Sequence, residues 1–355
     1  PGDTKQLNLA LPSLNPEIFT EYFLNVFLKT NQAWGLLDKG HILASEQFSL
    51  PAKGQVIKPS AIKAKPVDLQ ENDQSVTITG GDFTVIFNKT TGTFSSWKFR
   101  NTEILESSPK PNFRRAPTDN DIGNGMPNRC QAWFDASERY TMTKFETTRT
   151  ANNEILVSVG YAFPDDIATE TIEYRIFADG RIMVTAELTP LKDKLPELPR
   201  FGLNMQIKGE FSKVTWYGRG PWENYCDRKT ASFVGLYENT VDELFIPYIR
   251  PQENGYKTDV RWMTLQNSKN IKLKFAGQPL FCFSSLHYTY DDLKGFKQGG
   301  KHLHDLEKKP FIDLNIDFGQ MGVGGDDSWG ARTHPQYTLP AGKYTYTFTM
   351  EAIQN

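Results

Sequence analysis

Apolar and polar residues alternate along most of this chain with a period of two, which is typical of β-strands. In the segment 344–350 every large apolar side chain falls on one face and the threonines fall on the other. The runs 172–176 and 182–188 alternate in the same way and are joined by Asp179-Gly180, which predicts a β-hairpin. A second hairpin is predicted over residues 82–99.

Helical periodicity is nearly absent, and the best candidates are single turns at 291–295 and 303–306. A succession of short antiparallel strands without crossover helices indicates that sheets pack on sheets. The sequence therefore predicts an all-β protein whose main part is a large antiparallel sandwich. Trp97 and Trp216 lie in alternating runs and are predicted to be buried in strands.

The first fifty residues differ from the rest of the chain. They predict three strands, at 6–11, 21–30 and 41–50, followed by a stretch rich in Lys, Pro and Ala. A complete immunoglobulin-like sandwich needs about seven strands. We therefore expect part of such a domain, with an unpaired sheet edge and an uncovered apolar face formed by Phe19, Tyr22, Phe23 and Phe27.

These patterns predict three regions. Residues 1–52 are predicted to be the C-terminal part of an immunoglobulin-like domain, residues 53–66 a linker, and residues 67–355 the large sandwich domain.

Composition narrows the possible functions. The 355 residues carry Lys+Arg 40 and Asp+Glu 42, a formal net charge of −2, and neither sign is concentrated in a tail. Nucleic-acid and membrane partners are therefore not expected. No signal peptide is visible, and the sequence leaves the compartment open between cytoplasm and periplasm.

Cysteine and histidine spacing predicts no metal site. The 3 cysteines are far apart and form neither a disulfide framework nor a metal-binding pair. His302 and His304 would project from the same face of a strand, but no third ligand lies at a recognisable spacing.

A polar loop at 115–125 contains two carboxylates, two amides and two glycines, and its candidate site residues are Asp119, Asp121, Gly123, Asn124 and Gly125. The loop lacks the acidic residues at the spacing that a calcium-binding loop requires. A loop in which the side chains bond their own backbone is the structural alternative to a functional one. Residues 123–129 are predicted to be mobile, because little in them would anchor the chain.

The segment 218–228 brings Glu223 and Asp227 close together in the sequence. Such a carboxylate pair is what glycoside cleavage uses. With Arg219 and Arg228 beside them, the favoured interpretation is an ion-pair network that fixes a loop. Asn224 in this segment, and Glu253 and Asn254 in the turn 251–255, are also interpreted as structural.

The last motif, 321–330, places Asp326 and Trp329 among glycines. It lacks the Lys-Ser/Thr ending of a phosphate loop. An exposed indole can stack on the C–H face of a sugar while carboxylates accept hydrogen bonds from hydroxyls, whereas a core tryptophan is the structural alternative. We predict that Trp329 is exposed at one end of the sandwich, beside the 115–125 loop.

Together, these motifs resemble the C-terminal region of the β-galactosidases of glycoside hydrolase family two. The matching segments are 115–123, 220–228, 251–255 and 321–329, in the family's order. The resemblance implies that residues 67–355 form a supersandwich similar to aldose mutarotases. It also implies that the chain belongs to an enzyme that hydrolyses terminal β-D-galactosides with retention.

In that family the two catalytic glutamates lie on a TIM barrel, which the resemblance places upstream of this chain together with the magnesium and sodium sites. No catalytic residue, cofactor or metal is therefore expected here. The barrel is the expected partner, and the full-length enzyme is expected to be a homo-oligomer. The resemblance implies that Trp329 and, beside it, Asp326 bind sugar, and that the loop after Asp121 lies next to the active site.

Two alternatives remain open. A stand-alone aldose mutarotase would need an acid and a base that converge on one sugar, with His287 as the only candidate acid. A lectin-like module would have to bind sugar at millimolar concentration or better as an isolated chain. An aldose-interconversion assay tests the first, and titration of tryptophan fluorescence with lactose tests the second.

Overall fold

The computed structural model describes residues 2–12, 17, 20–50, 66–295, 302–327 and 330–354. Two compact units are distinguished, Pro1–Lys63 and Ala64–Asn355. No described helix has the length and apolar character needed to cross a membrane.

Among its described residues, the first unit contains an antiparallel hairpin, formed by β1 (Tyr22–Lys29) and β2 (Ile42–Leu50). Tyr22 and Phe23 are half-buried and Phe27 is 45% exposed, as expected for an apolar face with little to cover it. Phe19 lies outside the described residues.

The predicted first strand, at residues 6–11, is wrong. Leu7, Leu9 and Leu11 alternate with polar residues but are exposed, and the segment is irregular. Alternation alone does not make a strand, because its backbone groups must also meet a partner, and no described strand pairs with this segment. Apart from residue 66, the predicted linker lies outside the described residues, and the proposed domain boundaries stay a prediction.

The second unit begins with a five-stranded antiparallel sheet in the order β3-β4-β5-β6-β7. Its strands are β3 (Asp68–Glu71), β4 (Ser75–Thr79), β5 (Phe83–Asn88), β6 (Thr93–Phe99) and β7 (Thr102–Glu103). The predicted hairpin over 82–99 is confirmed as β5 and β6.

A 12-stranded sheet forms the rest of this unit. Its strands are β8 (Leu105–Asn112), β9 (Thr141–Arg149), β10 (Ile155–Ala162), β11 (Ala168–Ile176), β12 (Ile182–Pro190), β13 (Arg200–Lys208), β14 (Lys213–Gly220), β15 (Phe233–Thr240), β16 (Lys257–Gln266), β17 (Ile271–Leu286), β18 (Phe311–Gln320) and β19 (Tyr344–Gln354).

The long strand β17 divides this sheet into two branches. Its first half pairs with β19, which continues through β12, β11 and β10 to β9. Its second half pairs with β18, which continues through β13 to β8. Strand β16 also pairs with β17, and β14 and β15 follow β16 in the sheet. The sheet curls around a shared core.

Alternating apolar residues from both sheets form that core. The rings of Phe87 and Phe94 lie 5.2 and 5.7 Å from the ring of Tyr174, in edge-on contacts that favour tight packing. Trp97 and Trp216 are fully buried in strands, as predicted. The all-β prediction is confirmed, and the predicted Asp179-Gly180 hairpin joins β11 to β12.

Short helices connect the strands. They are α1 (Asp119–Gly123), α2 (Met126–Arg129), α3 (Gln131–Glu138), α4 (Val241–Leu244) and α5 (Tyr290–Leu293), with 3₁₀ turns at Pro164–Asp166, Leu303–Asp305 and Pro335–Tyr337. The two helical turns predicted near 291–295 and 303–306 are confirmed as α5 and the second 3₁₀ turn.

The prediction that little anchors residues 123–129 is wrong. Met126 is fully buried, and Arg129 donates to the carboxylate of Glu197 at 2.8 Å and to the carbonyl of Asn124 at 2.7 Å. The following helix, α3, buries Trp133 and Phe134 against the sheet. These anchors come from residues distant in the sequence, which the glycine-rich pattern of the segment itself does not reveal.

Candidate functional site

The 119–125 segment begins as a capped helix. Thr118 precedes α1, and its hydroxyl accepts from the backbone N–H of Asp121 at 3.2 Å. The Asp121 carboxylate in turn accepts from the backbone N–H of Thr118 at 3.0 Å. This reciprocal capping satisfies donors that a helix start otherwise leaves unpaired. Asp119, by contrast, is exposed and meets Arg250 at 3.3 Å.

A buried ion pair holds this helix against the 321–327 segment. Arg115 is fully buried, and its guanidinium donates to both oxygens of Asp121, at 2.8 and 3.2 Å. It also donates to the carbonyl of Gly322 at 2.8 Å and to that of Met321. Burial by itself lowers the pKa of Arg115, but Asp121 outweighs that effect and the pKa is raised. Arg115 therefore remains charged and ties the two segments together, an arrangement we call the Arg115 clamp.

Further contacts keep the two segments side by side. The Asn120 side chain donates to the carbonyl of Val323 at 3.0 Å. A Cβ built on Gly330 would lie 3.8 Å from the carbonyl oxygen of Gly123, so the backbones nearly touch there. Val323, before Trp329 in the sequence, and Gly330, directly after it, therefore both lie beside α1. Trp329 itself lies outside the described residues, and its predicted exposure stays a prediction.

The other predicted residues of these loops have local structural contacts. The Asn124 side chain accepts from the backbone N–H of Met126 at 3.1 Å. Gly125 has a φ of +72°, a left-handed conformation that favours glycine. Asp326 is exposed, and its carboxylate lies 2.8 Å from a ring nitrogen of His334.

Asp227 also contacts the backbone of the 322–324 segment. Its carboxylate accepts from the backbone N–H of Gly324 at 2.7 Å. A Cβ on Gly322 would lie 2.5 Å from the same carboxylate, so a larger residue there would displace the Asp227 side chain. Asp227 therefore positions backbone and does not pair with Glu223.

Glu223 is the centre of a separate network. It accepts from Arg228 at 2.5 Å, from the backbone N–H of Gly255 at 2.8 Å, and from the Tyr248 hydroxyl. Arg219 does not join this network, because it pairs with Asp259 at 2.5 Å. The predicted ion-pair network is present, with different partners for Arg219 and Asp227.

The remaining motif residues are also structural in geometry. The fully buried Asn224 accepts from the hydroxyl of Thr258 at 2.6 Å and from its backbone N–H at 2.9 Å. Asn254 accepts from the backbone N–H of Ile246 at 3.1 Å. The first pair of contacts holds its loop against β16, and the second ties the 251–255 turn to the segment after α4.

Glu253 is buried and belongs to a charged cluster around Arg200. Arg200 lies 3.0 Å from Glu253 and 3.1 Å from Asp317. Burial raises the pKa of Asp317 to about 7, although Arg200 opposes the shift. Glu223 and Glu253 are thus each engaged by a cation, which explains the motif's carboxylates without assigning them a reaction.

No group of three or more His, Cys, Asp and Glu side chains among the described residues is placed to hold a metal ion. His287, the candidate acid of a mutarotase, is buried with a ring nitrogen 2.8 Å from the carbonyl of Phe311. Burial raises the pKa of the Cys130 thiol to about 12, so it is a packing residue at neutral pH.

The sequence did not single out several residues that organise this region. Arg200 on β13 and Asp317 on β18 alternate with the residues of the apolar core and face away from it. A charged residue at such a position normally indicates a solvated surface, so the sequence does not predict their burial. Tyr248, whose hydroxyl donates to Glu223, lies in a segment with no recognisable motif. For α1 a local signal existed: Thr118 and Asp121 have the spacing of a capping box.

Taken together, fold and site define a curled antiparallel β-sandwich domain whose end loops are held by buried ion pairs. The chain belongs to the β-galactosidase family. Residues 79–350 match the family described as the β-galactosidase small chain, and residues 1–51 match domain 4 of β-galactosidase.

Similar proteins support this membership. The chain is 38% identical to a β-galactosidase of Priestia megaterium and 33% identical to one of Vibrio cholerae, in each case over 99% of this chain and 34% of the relative. The chain thus spans about a third of the length of the curated relatives it matches.

Two solved structures have a similar arrangement of strands. One is the galactose 1-epimerase of Lactobacillus acidophilus, at 10% identity and a TM-score of 0.42, covering 82% of this chain and 100% of the other. The other is a GalM/aldose epimerase homologue from C. elegans, at 11% identity and a TM-score of 0.40, covering 81% of this chain and 99% of the other.

Proposed function

We propose that this chain is the non-catalytic C-terminal part of a β-galactosidase, and that it supplies one side of the active site. The observation that carries the proposal is the Arg115 clamp. A fully buried guanidinium joins α1 to the carbonyls of Met321 and Gly322, and so fixes the segment that leads to Trp329. Burying an ion pair is costly, and holding a loop in one position is a reason to retain it.

In this proposal Trp329 stacks on the galactoside and Asp326 accepts from its hydroxyls. Asp326 has the exposure this role requires, since 81% of its side chain is accessible. The loop at 119–125 lies beside the substrate as part of the same rim.

The chemical step is proposed to belong to two glutamates on a TIM barrel elsewhere in the polypeptide, together with the magnesium and sodium ions. This division is supported by the engagement of Glu223 and Glu253 with arginines, each at 3.0 Å or less. Both carboxylates are thus occupied by structural hydrogen bonds within this domain.

The test is Trp329→Ala in the intact enzyme. We expect substrate binding to weaken by roughly 1–3 kcal/mol, comparable to the loss of other aromatic stacking contacts. The catalytic rate constant should fall less, because the reacting groups lie elsewhere. Trp262→Ala, a half-buried tryptophan on β16, is the matched control and should leave KM unchanged. An unchanged KM for Trp329→Ala would refute the stacking role.

The isolated chain is expected not to hydrolyse nitrophenyl β-galactoside. Turnover by the pure chain that disappears on Glu223→Gln or Glu253→Gln would overturn the proposal, since it would place the catalytic pair in this domain.

A further inference from the structure

A polar cavity of about 120 Å³ lies against the β17–β18–β13–β8 branch. On β13 and β18 the apolar residues of the alternation, such as Leu203 and Leu314, belong to the core. The alternate positions carry Asn204, Asp313 and Asn315, which line the cavity. The second face of an antiparallel sheet is commonly solvated, but here these side chains are more than 90% buried.

The buried side chains form a connected network. Asn112 and Asn204 both donate to the carbonyl oxygen of Asn315, at 2.9 and 3.1 Å. Asn204 also donates to Asp313 at 3.1 Å, and Asn315 donates to the Ser284 hydroxyl at 3.1 Å. The network fixes the amide orientations and leaves the Ser284 hydroxyl hydrogen free to donate into the cavity.

Three further lining side chains form no side-chain hydrogen bond or ion pair with a described residue. They are Lys110, Gln206 and Tyr288, all half-buried. Together they offer ammonium, amide and hydroxyl groups around one space. A cavity with this many uncommitted donors and acceptors is suited to a ligand or to ordered water.

The charges of the lining are largely compensated. Arg114 pairs with Glu138, and Arg200 pairs with Glu253 at 3.0 Å. Arg115 pairs with Asp121, and Asp291 pairs with Lys294. What remains is Lys110 and the carboxylate of Asp313, which are of opposite sign. This balance favours a neutral ligand over an anion or a cation.

We propose that this cavity, the Asn204 pocket, binds a neutral polyhydroxylated molecule of monosaccharide size or smaller. Each hydroxyl of such a molecule both donates and accepts, which matches the mixture of amides, hydroxyls and single charges around the space. The rings of Tyr288 and Tyr290 supply the apolar surface that the C–H groups of a sugar contact. Arg115 of the clamp lines one side of the pocket, but among the described residues neither α1 nor the 322–327 segment does, so the pocket is distinct from the surface that the proposed rim presents to substrate.

The experiment titrates the 355-residue chain with D-galactose, D-glucose and glycerol, followed by saturation-transfer NMR. The pocket variant is Lys110→Met with Gln206→Leu, which removes polar groups without breaking an existing side-chain bond. We expect saturable binding of at least one of these molecules, weakened about tenfold or more in the variant. Lys98→Met on β6 is the matched control and should bind as the unmodified chain does.

The remaining outcomes overturn the proposal. Absence of saturable binding would mean that the pocket holds water only. Binding that survives in the pocket variant but disappears in Trp329→Ala would assign the sugar to the rim instead. Because hydrolysis by the intact enzyme should be unaffected by Lys110→Met with Gln206→Leu, failure of the Asn204 pocket and failure of the proposed function are distinguishable.

Discussion

Replacing Asp121 by asparagine would isolate the contribution of the Arg115 clamp. Both partners are almost completely inaccessible, with side-chain exposures of 0% and 3%. Asp121→Asn keeps the size and one acceptor for the Thr118 N–H, but it leaves a buried guanidinium without its counter-charge. Breaking such a pair by removing one partner costs about 3–5 kcal/mol. Because asparagine retains an acceptor, we expect a loss near the lower end, about 3 kcal/mol.

Asp119→Asn is the matched control, two residues away on the same helix. Its carboxylate is 60% exposed and lies 3.3 Å from Arg250. Exposed ion pairs of this kind contribute about 0–1 kcal/mol. The two variants remove the same charge and differ mainly in burial, so the comparison separates the clamp from the general effect of a lost carboxylate.

Urea denaturation of both variants and of the unmodified chain would measure the free energies of unfolding. Hydrogen exchange at the 118–125 and 321–324 amides would show whether both segments loosen together. Equal losses for Asp121→Asn and Asp119→Asn, or loosening of α1 without the 321–324 amides, would refute the argument that Arg115 couples the two segments.

Two buried titratable groups give predictions about pH. Glu170 is fully buried, neither oxygen accepts from a described residue, and burial raises its pKa well above the ordinary value. The native state therefore keeps a proton that the unfolded state releases, so the unmodified chain loses stability as pH rises above the unfolded pKa of about 4.3. Glu170→Gln should escape this loss and gain about 1.4 kcal/mol per pH unit relative to the unmodified chain. A constant difference in the free energy of urea unfolding between pH 5 and 7 would contradict this. Burial lowers the pKa of Lys257 to about 8, so between pH 8 and the unfolded value of about 10.4 the unfolded state binds the extra proton and stability rises with pH. Lys257→Met should be the more stable form at pH 7, by up to about 3 kcal/mol, and the same unfolding series should show that advantage vanish by pH 10.5.

Most of the fold was predictable, because strand alternation is a local property. The hairpins β5–β6 and β11–β12 follow from period-two runs separated by turn residues. The fork at β17 could not be predicted in this way. Which half of a 16-residue strand pairs with β18 and which with β19 depends on contacts between distant segments.

Errors in the prediction arose where local pattern and tertiary contact disagree. Residues 6–11 alternate as a strand does, but no described strand pairs with them. Residues 123–129 have the glycines of a flexible loop, but Met126 packs into the core and Arg129 binds Glu197. In each case the deciding partner lies outside the window from which a local pattern is recognised.

The sequence predicted which residues belong to the candidate site, but not which of them contact one another. The sequence placed Glu223 and Asp227 in one network with Arg219, whereas the fold gives Asp227 to the Gly324 backbone and Arg219 to Asp259. Complementary charges within a few residues of each other are poor evidence of a contact, because neighbours on a strand or tight turn point in different directions.

Buried charge carries a desolvation cost at this end of the sandwich. Arg115 and Arg200 are each at least 96% buried. Arg115 binds the nearby Asp121 and two distant backbone carbonyls, and Arg200 binds carboxylates from two separate parts of the chain, Glu253 and Asp317. Well-packed apolar residues in place of such pairs are often as stable or more stable, so stability alone does not explain their presence. A guanidinium offers something that an apolar side chain does not, namely several donors of fixed geometry that can hold a carboxylate and two backbone carbonyls at once. Arg115 uses them on Asp121, Met321 and Gly322. The position of the 321–322 backbone is therefore set by directional bonds, which is what the proposed sugar-binding rim would require.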